Sequence, residues 1–459
     1  MMRKLQRIHF VGIGGIGMSG IAELLARQEF EVTGSDLAAS AQTRHLEEQG
    51  CRIWIGHSAD NIGDAEVVVH SSAVGTENPE VAEAIRRGIP VIRRAEMLAE
   101  LMRLKEGVAI AGTHGKTTTT SLAGHILTEV GLDPTVIVGG VVRGLGTNAR
   151  LGESKLLVAE ADEYDRSFLK LMPVMAVLTT LEAEHLDTYG TYEELRSAFV
   201  HFANSVPFYG KVILCSDEPN LVDLLDDISR PVLTYGLNPQ ADLRAEMVEL
   251  GTTATGRLTF GGNELGELQV PLAGLHNLRN ALAAVAVALE MDVPMGRIRE
   301  ALKSFSGVRR RFEFRGSGDG VEVYDDYAHH PTEVAATLSA ARQALSNRIV
   351  AVFQPHLFSR TQHFYREFAR ELLKADVVVV TDVYPSREKP IEGVTGEMVA
   401  EQARRFGHKD VHYVPERPAL ADDLMALLMP GDAVITLGAG DIYKTSDELL
   451  ERLGNGEAD

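Results

Sequence analysis

Short apolar runs alternate with amphipathic stretches along almost the whole chain. The apolar runs are rich in valine and isoleucine, as is typical of strands buried on both faces of a parallel sheet. Strands are therefore predicted at Arg7–Val11, Glu31–Gly34, Val67–Ser71, Val108–Ala111, Lys155–Glu160, Met175–Thr180, Lys211–Leu214, Ile349–Phe353, Val377–Thr381 and Ala433–Leu437. Helical spacing of the apolar positions predicts helices between them, including Gly17–Gln28, Thr117–Val130 and Thr332–Leu345.

This alternation of strands and helices is typical of α/β proteins with parallel sheets. The 459 residues are enough for about three domains of ~150 residues each. One boundary is predicted near residue 106, before the apolar run VAIAG, and another near residue 317, where RGSGDG has the composition of a linker. The polar, Gly/Thr-rich region 235–275 predicts either an antiparallel sheet edge or a small β insertion.

The charge balance narrows the range of partners. Lys and Arg total 45 against 65 Asp and Glu, which gives a net charge of −20. A surface this acidic repels nucleic acid and anionic lipid, so neither is expected as a partner. No apolar run approaches the ~18 residues of a membrane span, and glycines interrupt the apolar N-terminal run, which favours a strand and loop over a signal peptide. We therefore expect a cytoplasmic protein.

A glycine-rich loop lies between the first predicted strand and helix. Gly12, Gly14 and Gly17 satisfy G-x-G-x-x-G, and Asp36 ends the second strand in the position of a ribose-binding acid. Glycines let the backbone approach a diphosphate, and the helix N-terminus stabilises its charge. The pattern suits NAD and a UDP-sugar equally, and a tight turn without a ligand is the alternative. The predicted contacts are Gly14, Gly15, Ile16, Gly17, Met18, Ser19 and Asp36.

Polar residues follow two more strands of the same predicted sheet. They lie in the segments HSSAVGTENP and IRRAEML, which come after strand-like runs. Loops at the carboxyl edge of one sheet can reach one ligand, although a solvated loop explains each residue equally well. The donors predicted to reach the nucleotide are Ser71, Ser72, Asn78, Arg93 and Arg94.

A second glycine loop, GVAIAGTHGKTTTT (107–120), connects a strand directly to a helix. Three consecutive backbone N–H groups, the helix N-terminus and a lysine together suit a triphosphate. The threonine after the lysine is placed to bind Mg²⁺. The predicted ATP contacts are Gly112, Thr113, His114, Gly115, Lys116, Thr117 and Thr118, of which the last is equally well explained as an ordinary helix residue.

Several motifs together resemble the Mur ligases over nearly the whole chain, from residue 8 to about residue 442. These motifs are GIGGIGMSGIA, GTHGKTTT, VAEADEYD, LEAEHLDTYG, GLHNLRNALAA, RRFE, YDDYAHHPTE and FQPHLFSRT. The resemblance implies ATP-dependent ligation of L-alanine to the lactyl carboxylate of UDP-N-acetylmuramate through an acyl phosphate, in peptidoglycan synthesis. It also implies Mg²⁺ or Mn²⁺, and a monomer or homodimer.

The resemblance implies a Rossmann-like UDP-sugar domain (1–106), a central P-loop ATPase-like domain with a parallel sheet (107–317) and a Rossmann-like C-terminal domain (318–459). Thr117, Glu160 and His185 would bind metal. Sister ligases carry a carbamylated lysine after this histidine, but no lysine lies between Leu186 and Gly210 here. The other contacts implied for ATP are Asn280, Arg311 and Asp326. Those implied for the amino acid are Tyr327, His329, His356 and Arg360.

The residues that the resemblance makes catalytic are Lys116, Glu160, His185, His329, His356 and Arg360. Two other functions remain open at this point. A ligase that recycles a tripeptide onto the same sugar nucleotide would share the phosphate loop and the C-terminal histidines. An NAD-dependent dehydrogenase would explain the first glycine loop but would leave the second without a purpose.

Overall fold

The computed structural model describes residues 5–71, 73–139, 149–164, 166–386 and 388–454. The chain divides into two compact units. The first unit extends to Ser306, and the second comprises the residues from Gly307 together with the segments Met247–Gly256 and Gln269–Leu278. Within the described residues, no helix is both long enough and apolar enough to cross a membrane.

A five-stranded parallel sheet, ordered β3-β2-β1-β4-β5, forms the N-terminal part of the first unit. Its strands are β1 (Arg7–Val11), β2 (Glu31–Asp36), β3 (Arg52–Ile55), β4 (Val67–His70) and β5 (Val91–Arg93). Its helices are α1 (Ile16–Arg27), α2 (Ala41–Glu48), α3 (Pro79–Arg87) and α4 (Arg94–Arg103). The strand order reverses at β1, and ligands of such sheets bind at the carboxyl end of this strand.

The rest of the first unit is built around most of a 10-stranded sheet, ordered β15-β14-β13-β12-β11-β10-β6-β9-β7-β8. Its strands are β6 (Glu106–Ala111), β7 (Thr135–Ile137), β8 (Ala149–Arg150), β9 (Leu156–Glu160), β10 (Met175–Leu178), β11 (Lys211–Cys215), β12 (Val232–Gly236), β13 (Leu243–Glu249), β14 (Ala254–Phe260) and β15 (Asn263–Val270). Its helices are α5 (Lys116–Glu129), α6 (Leu186–Tyr189), α7 (Tyr192–Asn204), α8 (Pro219–Val222), α9 (Leu275–Glu290) and α10 (Met295–Lys303).

Strand β6 lies in the interior of this sheet, parallel to both β9 and β10. Val108 to Ala111 are almost completely buried, which explains why the strand reads as a continuous apolar run. The carboxyl ends of the three strands meet at one edge, so the residues that follow them are brought together there. Strands β13 to β15 extend the sheet at one end, within the region that the sequence predicts as an edge or insertion.

The second unit contains a six-stranded sheet, ordered β16-β17-β21-β18-β19-β20, in which only the β16–β17 pair is antiparallel. Its strands are β16 (Glu313–Gly318), β17 (Val321–Asp326), β18 (Arg348–Phe353), β19 (Val377–Val380), β20 (Val411–Tyr413) and β21 (Asp432–Leu437). Its helices are α11 (Pro331–Ala344), α12 (Phe358–Leu372), α13 (Glu397–Arg405), α14 (Leu420–Leu427) and α15 (Tyr443–Arg452).

Both faces of this sheet are covered by apolar cores. Ile349, Ala351 and Phe353 of β18 face one core, while Val350 and Val352 face the other. A strand buried on both sides needs apolar residues at successive positions, as Ile349 to Phe353 provide after the half-buried Arg348.

The three largely parallel sheets, with helices between their strands, confirm the predicted α/β fold class.

One expectation from the sequence, a linker near residue 317, is wrong. The glycine-rich segment 316–320, predicted as a linker, forms the end of β16 and the turn of a β-hairpin. Turn residues are needed in hairpins as much as in linkers, so composition alone does not separate the two. The boundaries near residues 106 and 317 stay predictions.

Candidate active site

The second glycine loop turns sharply from β6 into α5 at the carboxyl edge of the ten-stranded sheet. Gly112 and Gly115 adopt φ values of +142° and +80°, which side-chain-bearing residues rarely adopt. A Cβ at Gly112 would overlap the hydroxyl of Thr179, and one at Gly115 would lie 2.5 Å from Asn280 Oδ1. The glycines are thus required by both conformation and space.

Two threonines at the end of the neighbouring strand β10 hold this loop. The hydroxyl of Thr180 accepts a hydrogen bond from His114 N at 2.7 Å, and its carbonyl accepts one from Thr113 N at 3.1 Å. Thr179 Oγ1 donates to the His114 carbonyl at 2.5 Å. The N–H groups of Thr113 and His114 are therefore directed to Thr180. The N–H groups at the start of α5 and the ammonium group of Lys116 are the candidates for binding a phosphate, which stays a prediction.

Lys116 begins α5 and turns its side chain back across the loop. Its Nζ donates to the Gly112 carbonyl at 2.6 Å and to Glu163 Oε1 at 2.9 Å. Glu163 is fully buried. Burial opposes the charge on Lys116, but Glu163 together with Asp162 and Glu160 raises its pKa above the ordinary value. The lysine is thus charged and held at the mouth of the loop.

Thr117 and Glu160 lie together, as the predicted metal site requires. Thr117 Oγ1 donates to both carboxylate oxygens of Glu160, at 3.1 and 3.2 Å. Glu160 ends β9 and also accepts a hydrogen bond from Gly139 N at 2.7 Å. The fixed carboxylate and hydroxyl are oxygen donors of the kind that Mg²⁺ and Mn²⁺ prefer.

His185 approaches the same region from the segment before α6. It adopts a φ of +56°, an unusual conformation for a residue other than glycine. Its Nε2 lies 3.4 Å from Glu163 Oε1 and 3.8 Å from Glu184 Oε2. Donor atoms of these three residues all lie within 4.8 Å of one another, a spacing that a divalent cation could span. The oxygen and nitrogen donors of this edge suit a divalent cation, with His185 grouped with Glu163 and Glu184, and Thr117 paired with Glu160. Binding of one ion by Thr117, Glu160 and His185 together stays a prediction.

The other predicted ATP contacts of this unit differ in burial and in the groups that they contact. His114 Nε2 lies 3.4 Å from Glu182 Oε2, so the imidazole faces the acidic segment before α6. Thr118 is buried within α5. Asn280 is buried beneath the loop, where its Oδ1 accepts a hydrogen bond from Thr119 Oγ1 at 3.3 Å. Asn280 thus supports the loop, and its contact with adenine stays a prediction.

The N-terminal glycine loop is held by the acid that was predicted to bind a ribose. Asp36 Oδ2 accepts a hydrogen bond from Gly14 N at 2.8 Å. A Cβ on Gly14 would lie 3.0 Å from that same oxygen. Gly15 precedes α1 and has no side chain to cap its first turn. Since this turn contains no acidic residue either, its N–H groups favour an anion.

Arg94 is the arginine that lies beside this helix N-terminus. A Cβ built on Gly17 would be 2.9 Å from Arg94 Nη1, so the glycine makes room for the guanidinium. Arg93, the other arginine that the sequence predicts as a donor, is exposed at the end of β5. The structure thus favours the neighbouring residue.

The other residues predicted to contact the sugar nucleotide lie in different surroundings. Asn78 caps α3 by accepting a hydrogen bond from Glu80 N at 2.9 Å, and Ser71 packs against Gly12. Ile16 begins α1, and Ser72 lies outside the described residues. Met18 and Ser19 are buried in α1, so only their backbone could contribute.

In the second unit, Asp326 ends β17 and organises the loop beside it. Its two carboxylate oxygens accept hydrogen bonds from Phe312 N and Ala328 N, each at 2.7 Å. Burial raises the pKa of Asp326 to about 6, against the opposing effect of Arg311. Arg311 is partly exposed over the Tyr327 ring, with its guanidinium carbon 5.3 Å from the ring centroid. Arg310, which the motif RRFE does not distinguish from Arg311, instead pairs with buried Asp325 at 3.0 Å.

An aromatic cluster at the carboxyl edge of the same sheet brings together the predicted amino-acid contacts. The rings of Tyr327 and His329 are 5.3 Å apart, and those of His329 and His356 are 5.8 Å apart. Tyr384 stacks on His356, with an interplanar angle of 12°. Burial, helped by His329 and Arg360, lowers the pKa of His356 to about 4. The imidazole of His356 is therefore neutral at pH 7.

Two buried polar atoms beside this cluster have no hydrogen-bond partner among the described residues. They are His356 Nδ1 and Arg360 Nη1. Buried polar groups are usually satisfied, so a pair of this kind indicates a place for a polar ligand. A neutral imidazole and a guanidinium suit an amine and a carboxylate respectively.

Sequence patterns alone did not identify several residues of these sites. Thr179 and Thr180 follow an apolar strand without any motif, and Tyr384 lies in a segment that no quoted motif covers. Glu163 lies among the acidic residues of the VAEADEYD motif without a predicted role, but it is fully buried. These residues could have been suspected from their positions, because each follows a parallel strand and the carboxyl ends of such strands lie at one edge of the sheet.

Comparisons with known proteins cover the whole chain. Three family models match, described as "Mur ligase family, catalytic domain" over residues 7–106, "Mur ligase middle domain" over residues 110–288, and "Mur ligase, glutamate ligase domain" over residues 310–440. A UDP-N-acetylmuramate–L-alanine ligase from Salinibacter ruber is 53% identical over 455 residues, which cover 98% of this chain and 96% of that protein.

Solved structures agree with these matches. The UDP-N-acetylmuramate–alanine ligase of Thermotoga maritima has a TM-score of 0.83 and 31% identity, covering 98% of this chain and 99% of that one. A murein peptide ligase from Psychrobacter arcticus has a TM-score of 0.71 and 25% identity, covering 99% and 100%. With its three sheets, its phosphate loop and these full-length matches, the chain belongs to the Mur ligase family.

Proposed function

We infer that this chain is an ATP-dependent ligase that joins L-alanine to the lactyl carboxylate of UDP-N-acetylmuramate, releasing ADP and phosphate. This is a step in the synthesis of a peptidoglycan precursor. The observation that carries the inference is the cluster of Lys116, Thr117, Glu160 and His185 at one sheet edge, in a chain half identical to L-alanine-adding ligases over its full length.

The substrates are UDP-N-acetylmuramate, L-alanine and ATP. We propose that the N-terminal glycine loop, with the N-terminus of α1 and Arg94, holds the diphosphate of the sugar nucleotide. The first turn of α5 and Lys116 hold the triphosphate of ATP, while the ATP contacts of Arg311 and Asp326 stay predictions from the family resemblance. Lys116 neutralises charge on the phosphoryl group while the lactyl carboxylate attacks it. The acyl phosphate that forms contains an activated carbonyl.

A divalent cation accompanies ATP in this reaction, and we propose Mg²⁺ or Mn²⁺. Thr117, Glu160 and His185 would hold it, with Glu163 and Glu184 nearby. When bound, the cation offsets the repulsion between the carboxylate and the phosphates. Glu184 is the candidate for the role that a carbamylated lysine has in sister ligases.

The aromatic cluster of the second unit is proposed to hold L-alanine. Arg360 pairs with the carboxylate of the amino acid, because a guanidinium matches a carboxylate in a bidentate geometry. The neutral imidazole of His356 accepts a hydrogen bond from the unprotonated amine, which orients the nucleophile, while the ammonium proton is lost to solvent. The amine then attacks the carbonyl carbon, the amide forms and phosphate leaves. His329 and Tyr327 position the His356 ring.

The test is phosphate release from ATP by the purified chain, with each substrate omitted in turn. Release should require both UDP-N-acetylmuramate and L-alanine, and the product should be the alanyl sugar nucleotide by mass spectrometry. Turnover with a tripeptide but not with L-alanine would instead support the recycling ligase. A change in NADH absorbance would support a dehydrogenase. The cytoplasmic location, the choice between monomer and homodimer and the absence of nucleic-acid and membrane partners stay predictions.

Replacing Arg360 with glutamine should raise KM for L-alanine by about 10- to 100-fold, the usual value of a charge-assisted pair. KM for ATP should change less than about threefold, because Arg360 contacts only the amino acid in this proposal. The measurement is initial-rate kinetics with each substrate varied. An exposed arginine of the same unit, Arg405, gives the matched control R405Q. Equal effects of R360Q on both KM values would contradict the assignment.

A further inference from the structure

We propose that Glu163 is a positioning residue that fixes Lys116 and His185 in one arrangement, so that the phosphate loop and the segment before α6 act as a unit. The proposal rests on the ligase function inferred above. It assigns a role to a buried carboxylate that the sequence pattern did not distinguish from its acidic neighbours.

Glu163 contacts both partners directly. Its Oε2 lies 2.8 Å from Lys116 Nζ, and its Oε1 lies 2.9 Å from the same nitrogen and 3.4 Å from His185 Nε2. One carboxylate thus joins a residue of α5 to a residue 69 positions further along the chain. The backbone carbonyl of Glu163 also accepts a hydrogen bond from Tyr189 Oη at 2.7 Å, which anchors it to α6.

Burial makes this contact hard to replace. The Glu163 side chain is completely buried, and that of Lys116 is only 13% exposed. A buried charge is retained only when it is paired, so each of the two groups depends on the other. Lysine also has a long flexible stem, and a fixed partner reduces the number of conformations available to its ammonium group.

The neighbouring carboxylate, Glu160, has different partners. It accepts hydrogen bonds from Thr117 Oγ1 and Gly139 N. The two glutamates of the VAEADE segment therefore have two different tasks. Glu160 lies beside the proposed metal-binding hydroxyl, whereas Glu163 orients the lysine and the histidine.

The variant Glu163→Gln tests the proposal. Misplacement of reacting groups by about 1 Å costs up to about 100-fold in rate, so kcat should fall by about 30- to 100-fold. KM for ATP should stay within about threefold, because Asp162 and Glu160 still attract the ammonium group of Lys116 and the phosphates of ATP add further negative charge beside it. The control Glu193→Gln removes an exposed carboxylate from the first turn of α7 and should leave both parameters unchanged.

A second measurement, the NMR signals of the two side chains that Glu163 contacts, requires neither bound metal nor catalytic turnover. In the protein without added metal or nucleotide, NMR signals of the Lys116 side chain and the His185 ring should shift in E163Q but not in E193Q. The shorter variant Glu163→Asp keeps the charge, so it should fold, but its carboxylate is drawn back and kcat should still fall. Unshifted signals in E163Q, unchanged kcat, or full activity in E163D would each overturn the proposal. If the wild-type chain had no ligase activity, the proposed function would fail instead, whatever the NMR signals showed.

Discussion

Replacing Lys116 with alanine is expected to abolish ligation, with a loss in kcat/KM of about 10³-fold or more. In the structure the ammonium group of Lys116 lies at the mouth of the phosphate loop, held by the Gly112 carbonyl and by Glu163. Its removal takes away the positive charge that balances the phosphoryl oxygens as the carboxylate attacks. Phosphate release in the presence of all three substrates is the measurement.

Binding of UDP-N-acetylmuramate should survive in the same variant, because its proposed site is built on the separate five-stranded sheet. Isothermal titration of the sugar nucleotide should give a Kd within about threefold of the unmodified chain, a change below ~0.7 kcal/mol. The control K155A removes an exposed lysine just before β9 and should leave turnover intact. Normal turnover in K116A would refute the assignment of the loop.

The variant Gly115→Ala is expected to weaken ATP binding by about tenfold or more and to lower kcat/KM by about 100-fold. Its Cβ would lie 2.5 Å from Asn280 Oδ1, in a side chain that is buried and bonded to Thr119. Either Asn280 or the start of α5 must move, and both belong to the phosphate site. Titration with ATP and steady-state kinetics measure the two effects.

Gly131→Ala provides a control with the same backbone strain. Gly131 also has a φ of +80°, but a Cβ there meets nothing within 4 Å. Each substitution should therefore cost about 1–2 kcal/mol of stability for the left-handed conformation. Only G115A should lose ATP affinity. If the two variants had the same melting temperature and the same affinity for ATP, the close contact between residue 115 and Asn280 would not affect ATP binding, and the prediction would be wrong.

The strands could be predicted from the sequence because a strand that is buried on both faces leaves a short apolar run at consecutive positions. Strand β18 reads as an uninterrupted apolar run because both of its faces are buried, and β6 does so for the same reason. The hairpin between β16 and β17 was missed because glycine and aspartate serve turns and linkers alike. Its identity depends on pairing between strands, which short-range composition does not encode.

In the candidate site, too, residues that are contiguous in sequence were predicted, whereas residues that meet only through tertiary contacts were not. The glycines, Lys116 and Thr117 are contiguous, so their pattern indicates a phosphate loop without any structure. Thr180 and Glu163 are far from the loop in sequence and act by long-range contacts. Arg94 was not separated from Arg93 because adjacent arginines look alike until packing turns one of them towards Gly17. Such choices are made by tertiary structure.

The most direct test of the central claim follows oxygen atoms through the reaction. UDP-N-acetylmuramate with both lactyl carboxylate oxygens labelled with ¹⁸O is converted in the presence of ATP and L-alanine, and the released phosphate is examined by mass spectrometry. If Lys116 and its loop present the γ-phosphate to that carboxylate, one ¹⁸O atom appears in the phosphate and the other stays in the new amide. Phosphate without label would mean that water attacked ATP, and the account of this site would be wrong.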